Sequence, residues 1–411
     1  MKSKIFIAIL LSSNFITILL AQTSNSIYSS YGIGNMHSLA IGQLEGLGNS
    51  GIGLRSPNFI NTLNPAANVY MQKPVTAMLD LGVNFDLDRA YDGKNSNFES
   101  GGSLSHLALW MQPNRRWGTI IGMLPYSEVA YDVSATRIDG ATQTPYSIIY
   151  KGSGGIYKVF WGNAFAISEQ FSVGINTSVL FGSIKRTEEF SSDDVLGDFS
   201  TEKKTNLIDY QVDIGLQYAF RLSGNQFVLG ATFTPGSDMK ALEETWLRKS
   251  LSEEIEKEDV TAGAYRLPLQ AGFGISWNNK RWLITSDVKY QNWENADISS
   301  QNTLQNTLKW SLGTEWSPLE QTDYFYQQPL SFRAGAFLQN YHQIVEGQRF
   351  PVWGLTAGAS IPLRRRYHHV TFNYIFQNMG TLSEGLLIES KHRISLNIHL
   401  RDIWFLQKKF D

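Results

Sequence analysis

The sequence predicts an all-β protein: a fourteen-stranded antiparallel transmembrane β-barrel with an N-terminal hatch, or plug, segment. Three observations predict it. The chain opens with a secretory-type leader and carries no later apolar run long enough for a membrane helix. Most of the remainder alternates apolar and polar residues with period two. The connectors between the alternating stretches are short and long in turn.

The leader reads "MKSKIFIAILLSSNFITILLAQTS". Lys2 and Lys4 precede an apolar stretch from Ile5 to Leu20, and Leu20-Ala21-Gln22 follows. Residues 1–21 are expected to be a signal peptide. A membrane anchor is the alternative, but Ser12, Ser13, Asn14 and Thr17 interrupt the apolar run. A secreted chain without membrane helices is either soluble or a barrel.

Residues 22–73 are expected to form the hatch. The segment Tyr31 to Met71 carries Gly32, Gly34, Gly42, Gly46, Gly48, Gly51 and Gly53, and runs into the turn Asn64-Pro65-Ala66. Asn-Pro marks a turn.

The barrel is expected over 74–405. In "YQVDIGLQYAFRL", Tyr210, Val212, Ile214, Leu216, Tyr218, Phe220 and Leu222 share one parity, and Gln211, Asp213, Gly215, Gln217, Ala219 and Arg221 the other. Similar runs place strands at 74–86, 102–111, 117–132, 146–167, 171–187, 205–222, 226–240, 262–277, 281–293, 303–316, 330–340, 351–361, 368–378 and 387–400. Many exceed the five or six residues usual in soluble sheets. They reach the 9–11 or so that cross a bilayer at a tilt. A large β-sandwich or propeller also alternates, but rarely sustains strands this long. The apolar parity should face lipid. Asp80, Asp213, Asp287, Lys289, Lys309, Glu315, Arg333 and Arg393 should face the lumen.

Long connectors fall at 87–101, 133–145, 188–204, 241–261, 294–302 and 341–350, with 317–329 long where a short turn is expected. Short ones carry aromatic neighbours (Trp117, Phe171, Phe227, Trp277, Trp282, Trp316 and Tyr367), the place for an interfacial girdle. In "KALEETWLRKSLSEEIEKEDV" the spacing predicts a loop helix over 240–260. Its Leu242, Trp246 and Leu247 would either form an apolar capture lip or pack on neighbouring loops. Residues 406–411 would be a periplasmic tail.

Composition limits the chemistry. A net charge of -2 and 18% charged residues offer no basic face for nucleic acid. With no cysteine there is no disulfide and no thiol chemistry. "GLGNSG" at Gly46 to Gly51 matches a dinucleotide glycine pattern but lacks a strand–turn–helix setting. His368-His369 beside Arg364-Arg365-Arg366 reads as a solvated basic turn. His106, His342, His369 and the strand serines form no recognisable catalytic signature. Neither enzyme activity, catalytic residues, metal nor cofactor is expected.

Proline inside "GTIIGMLPYSEVAYD" marks a kink or bulge in the third strand, because Pro125 gives up a ladder hydrogen bond. Leader, glycine-rich segment, Asn64-Pro65-Ala66, fourteen strands and a third-strand proline together resemble the FadL-like outer-membrane long-chain fatty-acid and hydrophobic-compound transporters. The end "RISLNIHLRDIWFLQKKFD" resembles barrels of Bacteroidetes-type outer membranes. The resemblance implies a cell outer-membrane location and passive uptake of a fatty-acid-like molecule, with membrane lipid as the other partner. The molecule would cross a constriction at Asn64, Pro65 and Ala66 and leave by a lateral exit shaped by Pro125 and Tyr126. A continuous apolar cavity should then reach Pro125. Some members resemble components of the type IX secretion translocon, which implies a structural or plugging subunit with a protein partner as the alternative.

Overall fold

The computed structural model describes residues 26–69, 76–138, 145–192, 199–249, 253–261, 265–279, 281–297, 303–318, 330–363, 368–383 and 386–404. The leader, most of connector 317–329, Arg364 to Tyr367 and the 406–411 tail lie outside them. Fourteen staves close a single antiparallel barrel. They are β1 (Ala77–Tyr91), β2 (Ser96–Asn114), β3 (Trp117–Ile138), β4 (Pro145–Ala166), β5 (Phe171–Ser192), β6 (Phe199–Leu222) and β7 (Asn225–Thr234). Then come β8 (Gln270–Asn278), β9 (Trp282–Gln291), β10 (Thr307–Trp316), β11 (Ser331–Asn340), β12 (Pro351–Pro362), β13 (His369–Gly380) and β14 (Ile388–Asp402). Closure comes from β1 against β14, from Ala77 opposite Asp402 to Tyr91 opposite Ile388.

Alternation fixes which side chains face out. On β1, Leu79, Leu81, Phe85 and Leu87 are exposed, whereas Asp80, Asn84 and Asp86 are buried. On β6, Ile214, Leu216 and Tyr218 are exposed while Gln211 and Gln217 are buried. An apolar exterior around a polar interior suits a barrel in hydrocarbon and inverts the soluble arrangement. Trp282, Trp316 and Phe332 pack side by side across β9–β11 at the short-turn end, with centroids 6.3 and 6.0 Å apart. No helix among the described residues is long and apolar enough to cross a membrane.

Two expectations fail at the long-loop end. The connector expected at 87–101 is mostly strand, with β1 and β2 joined at residues 92–95. Beyond the bilayer both faces meet water, so alternation fades while the backbone ladder continues. The helix expected over 240–260 is a β-hairpin: Ser237–Lys249 pairs with Glu253–Thr261 and with β6. The periodicity of Leu242, Trp246, Leu247 and Leu251 was outweighed by an adjacent strand whose edge groups required a partner. Pro235-Gly236 separates that hairpin from β7.

The hydrophobic core lies inside the barrel. Residues 26–69 thread the lumen with three 3₁₀ turns (Ile27–Ser30, Gly42–Leu47, Pro65–Val69) and one short strand, Asn35–Met36. Leu44, Leu47, Leu54 and Phe59 pack together with Leu283 of β9. Ile41 and Ile60 pack on Trp110, Ile120 and Phe160 of β2–β4.

Candidate functional site

Asn64-Pro65-Ala66 begins the third 3₁₀ turn and is wholly buried. Asn64 Oδ1 accepts from the Ala66 amide (3.0 Å), closing an Asx turn ahead of the proline. Its Nδ2 donates to the carbonyls of Ile52 (2.8 Å) and of Leu216 on β6 (3.1 Å). Ser172 of β5 donates to the Ala66 carbonyl at 2.9 Å. The turn reaches the wall because Gly174 and Gly215 are cross-strand neighbours there. A Cβ on Gly215 would lie 2.1 Å from Asn64 Oδ1, and one on Gly174 2.4 Å from the Ala66 nitrogen.

The arrangement recurs twice. Gly230 and Gly274, paired across β7–β8, receive Ile52-Gly53, and Gly313 and Gly335, paired across β10–β11, receive Leu47-Gly48. Side chains reinforce these sockets. Asp287 Oδ2 accepts from the amides of Gly51 (2.6 Å) and Ile52 (2.9 Å), and Ser276 donates to the Gly53 carbonyl (2.7 Å). Backbone donors in a low-dielectric lumen need such acceptors. The sequence reading missed these pairs; facing lumen-parity glycines on neighbouring strands would have shown them.

A seam of polar groups joins the Gly42–Leu47 turn to β1, β2, β13 and β14. Glu45 Oε2 accepts from Ser395 (2.6 Å) and Asn373 (3.0 Å), and Gln43 Nε2 lies 2.7 Å from His369 Nε2. Asp80 sits between His106 (3.0 Å) and His399 (2.8 Å). Arg333 pairs with Glu315 at 2.6 Å and donates to Ser331 and Ser360.

The wall differs at β3. Pairing of β2 with β3 stops at Leu107 opposite Met123, so among the described residues Ser96–His106 pairs with β1 alone. Two residues on, the β3–β4 register shifts between Pro125 and Ser127, and the consecutive Tyr126 and Ser127 are both buried. The N-terminal segment takes over the edge that β2 leaves. Asn35 and Met36 pair with Glu128 and Ser127. The Ser26 amide donates to the Ala130 carbonyl (2.7 Å) and the His37 amide to that of Tyr126 (3.0 Å). Unpaired strand backbone is costly in hydrocarbon, so a missing neighbour has to be replaced.

Between the sockets and this break lies a cavity of about 250 Å³. It is bordered by Leu63 and Pro65 on one side and by Leu124, Pro125 and Tyr126 on the other. Asn64 and Ala66 do not border it: they hold Pro65 against the wall. The lining is not the continuous apolar surface expected. Leu39, Ile41 and Ile52 share it with Glu128, Lys289, Lys309, Glu389 and Arg393, because the inward strand parity carries many charged and polar side chains. Leu242, Trp246 and Leu247 are absent from it. On the hairpin, strand alternation sends Leu242 and Trp246 to one face and Leu247 to the other, so the three form no single lip. Among the described residues no group of three or more His, Asp or Glu could hold a metal ion.

Solved structures share this architecture. The "CymD monoaromatic hydrocarbon channel" superposes with a TM-score of 0.58 at 15% identity, over 88% of this chain and 99% of that one. A FadL homologue of Pseudomonas aeruginosa gives 0.60 at 13%, over 90% and 99%. The toluene transporter TodX of P. putida gives 0.59 at 14%, over 89% and 100%. At such identities the likeness is one of fold. No curated protein matches the chain. A family model does match, over residues 1–411, and its description is BamG. By that full-length match the chain belongs to the BamG family.

Proposed function

We propose that this chain is an outer-membrane channel through which hydrophobic or amphiphilic small molecules move passively. One observation carries the reading: a single cavity borders both the Pro65 turn and the β2–β3 break at Pro125. A molecule entering from the long-loop end would occupy that cavity over the hatch formed by residues 22–73. It would leave through the wall where Asn35–Met36 stands in for β2. That two-residue pairing and the flanking Ser26–Ala130 and His37–Tyr126 backbone hydrogen bonds would have to part. Fatty-acid-like molecules suit a path that is polar inside and opens to lipid at its side. The folds of the CymD and TodX structures support a channel, since this chain superposes on them over 88% and 89% of its length.

Proteoliposome uptake of a hydrophobic fluorescent probe and of a long-chain fatty acid tests the reading. Uptake should exceed that of empty vesicles and change when residues 31–71 are deleted. Uptake equal to that of empty vesicles would sink it. A plugging or structural subunit of a secretion complex is the second reading, favoured by how firmly the three glycine sockets hold the inner segment. Stoichiometric co-purification of a protein partner, with no uptake of either compound, would select it.

A further inference from the structure

The lining charges are unevenly matched. Lys289 of β9 and Lys309 of β10 are cross-strand neighbours, and both border the cavity. Like charges directly opposite repel. Neither lysine has a carboxylate or a hydrogen-bond acceptor in reach among the described residues; Lys309 Nζ lies 5.2 Å above the Phe337 ring. The nearby carboxylates form no ion pair with them, although Asp287 Oδ1 has no hydrogen-bond partner among the described residues. Asp213 takes Lys158 at 2.7 Å, and Asp287 Oδ2 takes two amides of the inner segment. Enclosed ammonium pairs of this kind call for a counter-charge.

Across the lumen the imbalance is reversed. Arg393 is held bidentately by Asp86 (2.7 and 2.8 Å), and Lys391 meets Asp88 at 3.2 Å. That leaves Glu128, whose hydrogen-bond partner among the described residues is His37 at 3.1 Å, and Glu389, held by Ser26 Oγ (2.5 Å) and the Ile27 amide (2.9 Å). Neither has a lysine or arginine within salt-bridge distance among the described residues. A further sign of a polar occupant is that several buried atoms of cavity-lining residues, among them Asn49 Oδ1, Asn84 Oδ1, Asn176 Oδ1 and His342 Nε2, have no hydrogen-bond partner among the described residues.

We propose that the cavity is a binding site for a zwitterionic amphiphile. Its anionic group lies between Lys289 and Lys309, and its cationic group faces Glu128 and Glu389. Its apolar body runs along Leu39 and Leu124 toward the break at Pro125. A simple carboxylate would answer the lysines and leave the glutamates unmatched; a simple cation would do the reverse. This inference rests on the channel reading and names its substrate class.

Three amphiphiles with one twelve-carbon tail test it: dodecylphosphocholine, dodecanoate and dodecyltrimethylammonium. Each is titrated calorimetrically into the full chain in dodecyl maltoside micelles. The zwitterion should bind at least tenfold more tightly than either of the others. Lys289→Met and Lys309→Met should each weaken the zwitterion and dodecanoate about tenfold and leave the cation unchanged. Glu128→Gln should weaken the zwitterion and the cation and leave dodecanoate unchanged. Heat-modifiable gel migration verifies that each variant is folded, and the two lysine variants back each other. Dodecanoate binding as tightly as the zwitterion, or affinities unmoved by all three substitutions, would overturn the inference. Head-independent binding accompanied by uptake overturns it while leaving the channel reading intact. Absence of both binding and uptake overturns both.

Discussion

The two sides of the lumen hold the inner segment in opposite ways. Along β5–β11 the wall gives up side chains: paired glycines let the backbone of residues 47–66 approach the strands directly. At β3 the wall gives up a neighbour, and residues 26–37 supply the missing backbone partner. The first arrangement is close-packed and multiply hydrogen-bonded. The second has two ladder residues and borders the cavity. Opening energies vary across a protein with buried contact and hydrogen bonding. Any rearrangement of the segment should therefore start on the β3 side and pivot on the sockets.

Substitutions on the two sides should differ accordingly. The largest effect is expected from Arg333→Met on the socket side, which leaves Glu315 buried without its cation and should cost roughly 3–5 kcal/mol. Denaturant unfolding in detergent measures it. The corresponding loss on the break side, His37→Ala opposite Glu128 at the cavity, should be smaller, about 1–2 kcal/mol. Equal losses would erase the contrast.

Gly215→Val comes next. Its side chain needs the space of Asn64 Oδ1 and Pro65, so the turn cannot seat, at about 1–3 kcal/mol. Planar-bilayer recordings should show raised conductance; a wild-type trace would mean that the socket does not seal the barrel. On the break side, Met36→Cys with Ser127→Cys joins residues that are register partners in a chain with no other cysteine. Oxidation should lower uptake at least tenfold if that pairing must part, and reduction should restore it. Unchanged flux would move the exit elsewhere. Leu242→Ala should do least, within about 0.5 kcal/mol and with uptake unaltered, since the side chain is exposed and does not line the cavity.

Much of the barrel was legible in the sequence. Runs such as Tyr210 to Leu222 carry their own orientation, because a strand in hydrocarbon must show lipid one parity and the lumen the other. Legibility fails where that constraint lifts. Beyond the bilayer Leu242, Trp246 and Leu247 fit a helical period better than an alternation, and only the neighbouring strand at Phe199–Ile208 made them β. Pro125 announced a fault in β3, since proline cannot complete a ladder. That Asn35–Met36 fills the fault could not be read, as the two segments are about ninety residues apart.

The sequence by itself determined the class of fold, the number of staves, the sidedness of each strand and the positions of two prolines that the backbone cannot ignore. These are local properties: side-chain period, proline chemistry and transfer free energy act within a few residues. Only the tertiary structure decided that Gly174 faces Gly215, that the Pro65 turn and Pro125 border one cavity, and that Lys289 and Lys309 stand opposite each other with no salt bridge among the described residues. Each depends on register between strands or on where a separate segment settles inside the closed barrel. Register and placement come from packing summed over the whole wall, which no single stretch of chain encodes.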